Sequence, residues 1–167
     1  MKKVFLVLTF LLCSLSSSSQ NIITHRAPFV LKLAVDEEGY YEMNVDKTPY
    51  FPEEKLLQIF PSEKLYIEVE IKSDTIYKMD IVKKILYPER TIEIEFIQKN
   101  EDRNAGYMEL KVKNPFNREL KYQAHMYIVK HDEWIKTSII PVYPNLLGIE
   151  IWNDVIISLL LHDWELN

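Results

Sequence analysis

The sequence predicts an all-β protein on two observations. Apolar and polar residues alternate in several segments, most clearly at 65–72, 92–96 and 108–113, as in strands that bury one face of an antiparallel sheet. No long helical segment alternates with these strands. We therefore expect a two-layer antiparallel β-sandwich of immunoglobulin-like type, with eight or nine strands and at most one short helix. A closed barrel is the main alternative arrangement.

The weaker candidate strands flank these three segments. Segment 155–161 is apolar almost throughout, which predicts a central strand covered on both faces. Segment 52–59 has Pro52 and two acidic residues at its start, as a helix prefers. One helical turn, two turns and no helix are all compatible with this sequence. The other candidate strands are 29–35, 40–45, 76–85, 120–129 and 134–140.

Two hairpins are predicted. The first joins 29–35 to 40–45 through a loop that ends at Gly39, a position that favours a positive φ. The second joins 91–97 to 107–113, and two registers would keep both apolar sets on one face. We expect the register that pairs glutamates with lysines, because like charges directly opposite each other are unfavourable. It pairs Glu93 with Lys113, Glu95 with Lys111, Ile94 with Val112 and Phe96 with Leu110.

The first twenty residues predict export. Lys2 and Lys3 precede an apolar run at 4–13, and small polar residues follow it, which is the order of a secretory signal. The run is about half as long as a membrane-spanning helix. We expect residues 1–20 to be removed, leaving one domain at 21–167, in the periplasm or outside the cell, with no transmembrane helix. Lipidation at Cys13 is the rival interpretation, although the bulky Leu12 fits that pattern poorly.

Charge and cysteine content exclude several function classes. Without residues 1–20 the chain has 18 basic and 25 acidic residues, a net charge of −7, which works against binding to nucleic acid or anionic membranes. Cys13 is the only cysteine, so the mature domain has no disulfide. The four histidines lack the close spacing of a zinc site within one element, and we expect no metal and no cofactor.

No catalytic motif is evident. Ser138 and Ser158 lie in apolar segments without a Gly-x-Ser-x-Gly elbow. Two strands carry alternate glutamates, which glycosidases also use, but such pairs usually form the wet face of a sheet. We expect no enzyme, although a hydrolase with an unrecognised site is a third possibility.

Aromatic residues in or beside loops are the candidate contact residues. Exposed flat rings can stack on sugars or on a protein partner, and the alternative is that they close the ends of the core. The candidates are Tyr40, Tyr41, Trp134, Tyr143 and Trp152. Trp164 is expected to lock the last strand into the core.

A short motif carries a family resemblance. In 110–122, a strand ends in Asn114-Pro115 and the next begins with Leu120-x-Tyr122. This resembles immunoglobulin-like sandwiches such as water-stress (late-embryogenesis-type) domains, and it implies the fold only. The leader resembles those of exported proteins from Bacteroides-type bacteria.

Together these features predict a non-enzymatic exported β-sandwich that acts through protein–protein contacts in the periplasm or at the cell surface. The alternative is a carbohydrate-binding module that uses the loop aromatics, so the expected partner is a protein or a glycan. An open apolar patch or a bare strand edge would favour protein contact, whereas an aligned row of exposed rings would favour sugar binding.

Overall fold

The computed structural model describes residues 21–35, 39–100, 106–131 and 133–167. The predicted signal at 1–20, with Cys13, lies outside these residues, as do 36–38 of the first hairpin loop and 101–105 of the second. The described chain is nearly all β, with a single 3-10 turn at Pro88–Arg90 and no α-helix. Its strands are β1 Phe29–Ala34, β2 Tyr40–Val45, β3 Leu57–Ile59, β4 Glu63–Lys72, β5 Thr75–Ile81, β6 Thr91–Lys99, β7 Tyr107–Lys113, β8 Leu120–Ile128, β9 Trp134–Thr137, β10 Leu147–Trp152 and β11 Ile156–Leu166.

The strands form three open antiparallel sheets. The five-stranded sheet has the order β10-β7-β6-β4-β5 and the four-stranded sheet the order β3-β11-β8-β9, while β1 and β2 form a separate hairpin. The main core contains residues from both larger sheets, such as Ile67, Ile94 and Leu110 from the first and Leu57, Ala124 and Leu161 from the second. The architecture is therefore sandwich-like, and both large sheets keep free edge strands.

The strand count exceeds the eight or nine that the sequence predicted. The described residues contain eleven strands, and the two unpredicted ones are β3 and β10. Segment 52–59 is not helical, because its last three residues pair with β11 instead. Strand β10 was not predicted, although its apolar residues alternate, and in the structure these side chains face solvent rather than the core.

The predicted hairpin of β6 and β7 is confirmed, including its register. Glu93 faces Lys113, Glu95 faces Lys111, and Phe96 faces Leu110. The Nζ of Lys113 lies 2.7 Å from the Glu93 carboxylate, and the Nζ of Lys111 lies 4.0 Å from that of Glu95. The glutamate–lysine pairs on which the predicted register was based are therefore present.

Strand β11 is central, as predicted, between β3 and β8. Its buried Ile156 and Leu159 join the main core, whereas Ile157 packs with the β1–β2 hairpin in a second, smaller cluster. Trp164 is buried, stacks on Tyr122 at 4.8 Å between ring centroids, and donates from Nε1 to the Lys55 carbonyl. The final strand is thus covered on both faces in its first half and anchored at its end.

Arg26 joins the N-terminal segment to the sandwich. Its side chain is 2% exposed and its Nε donates to Glu63 at 3.0 Å. The other guanidinium nitrogens donate to the Thr48 hydroxyl and to the carbonyls of Pro49 and Gln58. The guanidinium carbon lies 4.7 Å from the Tyr50 ring centroid and 4.9 Å from that of Phe60. A buried charge is tolerated here because hydrogen bonds and aromatic faces replace its water.

Removal of this guanidinium should destabilise the folded protein. We expect Arg26→Ala to lower the free energy of unfolding by about 3–5 kcal/mol, because the Glu63 carboxylate is left buried without its cation. Urea denaturation measures the change. The matched control is Arg90→Ala, since Arg90 forms an ion pair with Glu68 but its own side chain is 43% exposed, and we expect about 1 kcal/mol or less there. Equal losses in the two variants would contradict this role of Arg26.

Candidate functional site

Strand β10 carries an exposed apolar stripe at one edge of the five-stranded sheet. The stripe consists of Leu147, Ile149 and Ile151, which are 52%, 49% and 56% exposed, and we call these residues the β10 stripe. All three project from the outer face of the sheet, because side chains alternate along a strand and the intervening Gly148 packs against the buried Val142. Exposed apolar residues that form a continuous row are a feature of contact surfaces.

The backbone of β10 is open on the side away from β7. The Asn114 amide donates to the Leu146 carbonyl at 3.0 Å, so residue 146 and every second residue after it point their backbone groups toward β7. The N–H and C=O groups of the β10 stripe therefore point outward, since hydrogen-bonding direction alternates along an antiparallel strand. Within the described ranges these outward groups have no hydrogen-bond partner.

The edge of β3 is covered by hydrogen bonds, and the edge of β5 is covered only at its last residue, Ile81. On β3, the Gln58 amide donates to the Tyr50 carbonyl at 2.9 Å, and the Gln58 carbonyl accepts from Arg26 at 2.7 Å. On β5, the Ile81 carbonyl accepts from the Ile23 amide at 2.8 Å. The edge of β9 is only four residues long. Short, covered or charged edges are the usual protection against strand pairing, and β10 has none of these features on its outer face.

Asn114 fixes the position of β10. Its buried Nδ2 donates to the carbonyls of Arg118, Val142 and Tyr143, at 2.7, 2.9 and 3.2 Å, and its Oδ1 accepts from Phe116. This side chain links the β7–β8 turn to the connection that leads into β10. The Asn-Pro motif found in the sequence thus does more than start a turn.

Gly148 lets the strand lie close to that connection. A Cβ at this position would approach Val142 Cγ2 to 2.6 Å, which is too close. Val142 is buried and bridges to Leu120 on the four-stranded sheet. The absence of a side chain at 148 therefore allows the connection to pass beneath β10 while its edge stays open.

The five aromatic candidates do not form one row. Tyr143 is exposed on the connection before β10, and Trp152, at the end of β10, donates from Nε1 to the Thr137 hydroxyl at 3.1 Å. Tyr40 is exposed, with the Lys32 ammonium 4.5 Å from its ring centroid. Only Tyr41 and Trp134 line a common groove.

That groove lies between the β1–β2 hairpin and strands β8 and β9 and has a volume of about 270 Å³. Trp134 is tilted against Tyr127, with ring centroids 5.3 Å apart. The Tyr41 hydroxyl lies 3.2 Å from the Met43 sulfur. The groove is also lined by two apolar side chains, Phe60 and Ile157, and by two polar ones, Gln58 and Ser158. The groove offers stacking surface with few polar groups to orient a sugar.

Sequence reasoning missed a histidine pair. His125 on β8 and His162 on β11 are 37 residues apart, yet His125 Nδ1 lies 2.9 Å from His162 Nε2 and the rings stack. The Asp163 carboxylate is 3.1 Å from His162 Nδ1. Asp163 has φ 53° and lies where the β8–β11 register shifts. Only the pairing of the two strands reveals this pair, and nothing in the local sequence indicates it.

The histidine pair borders an open cavity of about 440 Å³, with Glu53, Glu54 and Lys55 on its other walls. Among the residues that the structure describes, no group of three or more histidine, cysteine or acidic side chains is placed to hold a metal ion. Burial, followed by the charges of His162 and Lys136, lowers the pKa of His125 below its usual value, and Asp163 opposes this shift.

The paired glutamates have basic partners. Glu68 lies 2.6 Å from Arg90 and Glu70 lies 3.1 Å from Lys72, and both glutamates of β6 face lysines as described above. This is the arrangement expected of a solvated sheet face.

Comparisons with known proteins returned no match to any family model, curated protein or solved structure. None of the described helical segments is long and apolar enough to cross a membrane.

The Asn114 junction gives a direct stability prediction. We expect Asn114→Ala to lower the free energy of unfolding by about 2–4 kcal/mol, because three carbonyls and one amide lose a buried partner. Chemical denaturation measures the loss. The control is Asn153→Ala, an exposed residue just after β10, which should stay within about 0.5 kcal/mol of wild type. An Asn114 variant as stable as this control would mean that the junction does not hold the connection.

The histidine pair predicts a dependence of stability on pH. Because the folded-state pKa of His125 is lowered, the unfolded chain binds more protons as the pH falls below about 6.5. The free energy of unfolding should therefore decrease between pH 7.5 and pH 5.5. We expect His125→Gln to reduce this decrease, and the exposed His131→Gln to leave it unchanged. Parallel pH profiles for wild type and His125→Gln would refute the assignment.

Proposed function

We propose that this protein is a non-enzymatic exported domain that acts through protein contacts in the periplasm or at the cell surface. The observation that carries the proposal is β10, an edge strand whose outer face is apolar and whose outward backbone groups are unpaired. Export is supported by the leader pattern of residues 1–20. The proposed mode of contact is strand addition, in which a partner segment extends the five-stranded sheet at β10.

Strand addition would pair the open backbone groups of this edge and bury its exposed apolar side chains. Partner backbone groups would pair with the outward N–H and C=O groups of the β10 stripe. Burial of its three half-exposed aliphatic side chains would contribute about 1 kcal/mol each. The opposite face of β10, which carries Gly148 and Glu150, is already in contact with the connection before the strand. Gly148 packs on Val142, and the Glu150 carboxylate accepts from the Ile140 amide at 2.8 Å. The partner is therefore expected to present its own apolar residues on the outer face only.

Further exposed apolar side chains lie on the connection that leads into β10. Leu146, Tyr143 and Ile140, on the connection before β10, are all more than half exposed. The opposite edge strand, β5, carries instead the ion pair of Lys78 with Asp80, at 2.7 Å. This asymmetry between the two edges of one sheet favours a contact at β10.

We also propose that the two large sheets have an immunoglobulin-like arrangement. An immunoglobulin-like arrangement is supported by two antiparallel sheets facing across one core, short connections, and the Asn114-Pro115 turn. The additional β1–β2 hairpin, which packs on β11 through Ile157, would be an addition to that arrangement.

Carbohydrate binding remains the alternative, and the Tyr41–Trp134 groove is the place where it would occur. The scattered positions of the other three aromatic candidates favour protein contact over an extended sugar platform. For the paired glutamates, their basic partners favour a structural role over a catalytic one.

Site-specific photo-crosslinking in cells tests the proposal. We expect a photoreactive benzoylphenylalanine in place of Ile149 to form discrete protein conjugates, because the partner strand lies directly beside it. The matched control is the same probe in place of Tyr77, which is 52% exposed on β5 at the opposite edge of the same sheet. Conjugates of equal yield at both positions, or none at Ile149, would overturn the proposal.

A further inference from the structure

We propose that the partner of β10 is β10 of a second copy of this chain, paired antiparallel across a two-fold axis at Ile149. This inference rests on the proposed contact function of the edge and names its occupant. The result would be a continuous ten-stranded sheet formed from two five-stranded sheets.

The outward backbone groups restrict the possible registers. Only residues 147, 149 and 151 point their backbone groups away from β7, so these must face one another across the axis. Symmetric pairing then allows an axis at residue 148, 149 or 150. An axis at Glu150 would place this carboxylate directly opposite the partner's Glu150, which is unfavourable. An axis at Gly148 would leave Ile151 opposite the partner's Asn145.

An axis at Ile149 pairs the whole stripe with itself. Leu147 faces the partner's Ile151, Ile149 faces the partner's Ile149, and Ile151 faces the partner's Leu147. Three facing pairs of this kind exchange about six backbone hydrogen bonds. Six half-exposed aliphatic side chains become one apolar row, while Glu150 faces the partner's Gly148 and meets no like charge. The strand is therefore self-complementary in this register, as a two-fold interface requires.

The flanking charges do not oppose this approach. The stripe is bordered on β7 by Lys113, Lys111 and Glu109. Lys113 lies 2.7 Å from Glu93, and Lys111 lies 2.8 Å from Glu109. The two copies would thus meet with these outer-face charges of β7 already paired within each copy. The contact is small, so we expect a dissociation constant in the micromolar range.

Disulfide trapping tests both the pairing and its register. Facing hydrogen-bonded residues have Cα atoms about 5.5 Å apart, within the range that a disulfide spans. In a Cys13→Ser background, we expect Ile149→Cys to form a disulfide-linked dimer under mild oxidation. The matched control, Tyr77→Cys, should remain monomeric.

A mixture of two cysteine variants determines which residues of the two β10 strands face each other. We expect Leu147→Cys mixed with Ile151→Cys to give a linked dimer, whereas each variant alone should not, because like positions lie about 13 Å apart. Sedimentation should show a concentration-dependent dimer for wild type and for Tyr77→Lys. Ile149→Lys should weaken this dimer at least tenfold, since it places two ammonium groups at the axis.

The outcomes separate this inference from the function on which it rests. A monomer at all concentrations with no Ile149→Cys dimer overturns self-pairing. If the photo-probe at Ile149 still forms conjugates with another protein, the contact function stands and the second copy is the wrong occupant. If that probe forms no conjugate either, both proposals fail. Trapping of Leu147→Cys with itself, instead of with Ile151→Cys, overturns the register and its two-fold axis.

Discussion

The hydrogen bonds of the buried Arg26 guanidinium hold the N-terminal segment on the sandwich and close the edge of β3 within the chain. The guanidinium ties the N-terminal segment to Glu63 at the start of β4 and to the outward carbonyl of Gln58 on β3. The outward N–H and C=O groups of an edge strand have no neighbouring strand to pair with, so proteins usually cover or protect them. At β3 a charged side chain from a distant segment provides the partner, so that edge is closed within the chain itself.

Strand β10 differs from β3 for a physical reason. The connection that leads into it is held beneath the sheet by Asn114 and by the contact of Val142 with Gly148, so it does not lie alongside the strand. The outward groups of β10 therefore stay unpaired, and the side chains beside them are leucine and isoleucine rather than lysine. Rigid placement of an apolar, unpaired edge is what a strand-addition surface requires, because the partner then has little ordering to impose on the domain.

The sequence predicted the parts of the fold that follow from local alternation and charge. The β6–β7 register could be read from Glu93, Glu95 and their lysine partners, and the central position of β11 from its apolar run. Strand β10 alternates as well, as Leu-x-Ile-x-Ile, but the apolar side faces solvent, and alternation alone does not say which face is buried. The contacts of Arg26, Asn114 and the histidine pair depend on long-range packing that no local pattern encodes.

Hydrogen exchange of the individual β10 amides, measured by NMR on dilute protein, tests the open edge most directly. We expect fast exchange at Leu147, Ile149 and Ile151 and slow exchange at Gly148 and Glu150, because only the latter two bond to β7. The fast amides should become protected as the protein concentration rises. Uniform protection of all five amides at high dilution would show that the edge is already covered within the chain, and would contradict an open β10 edge.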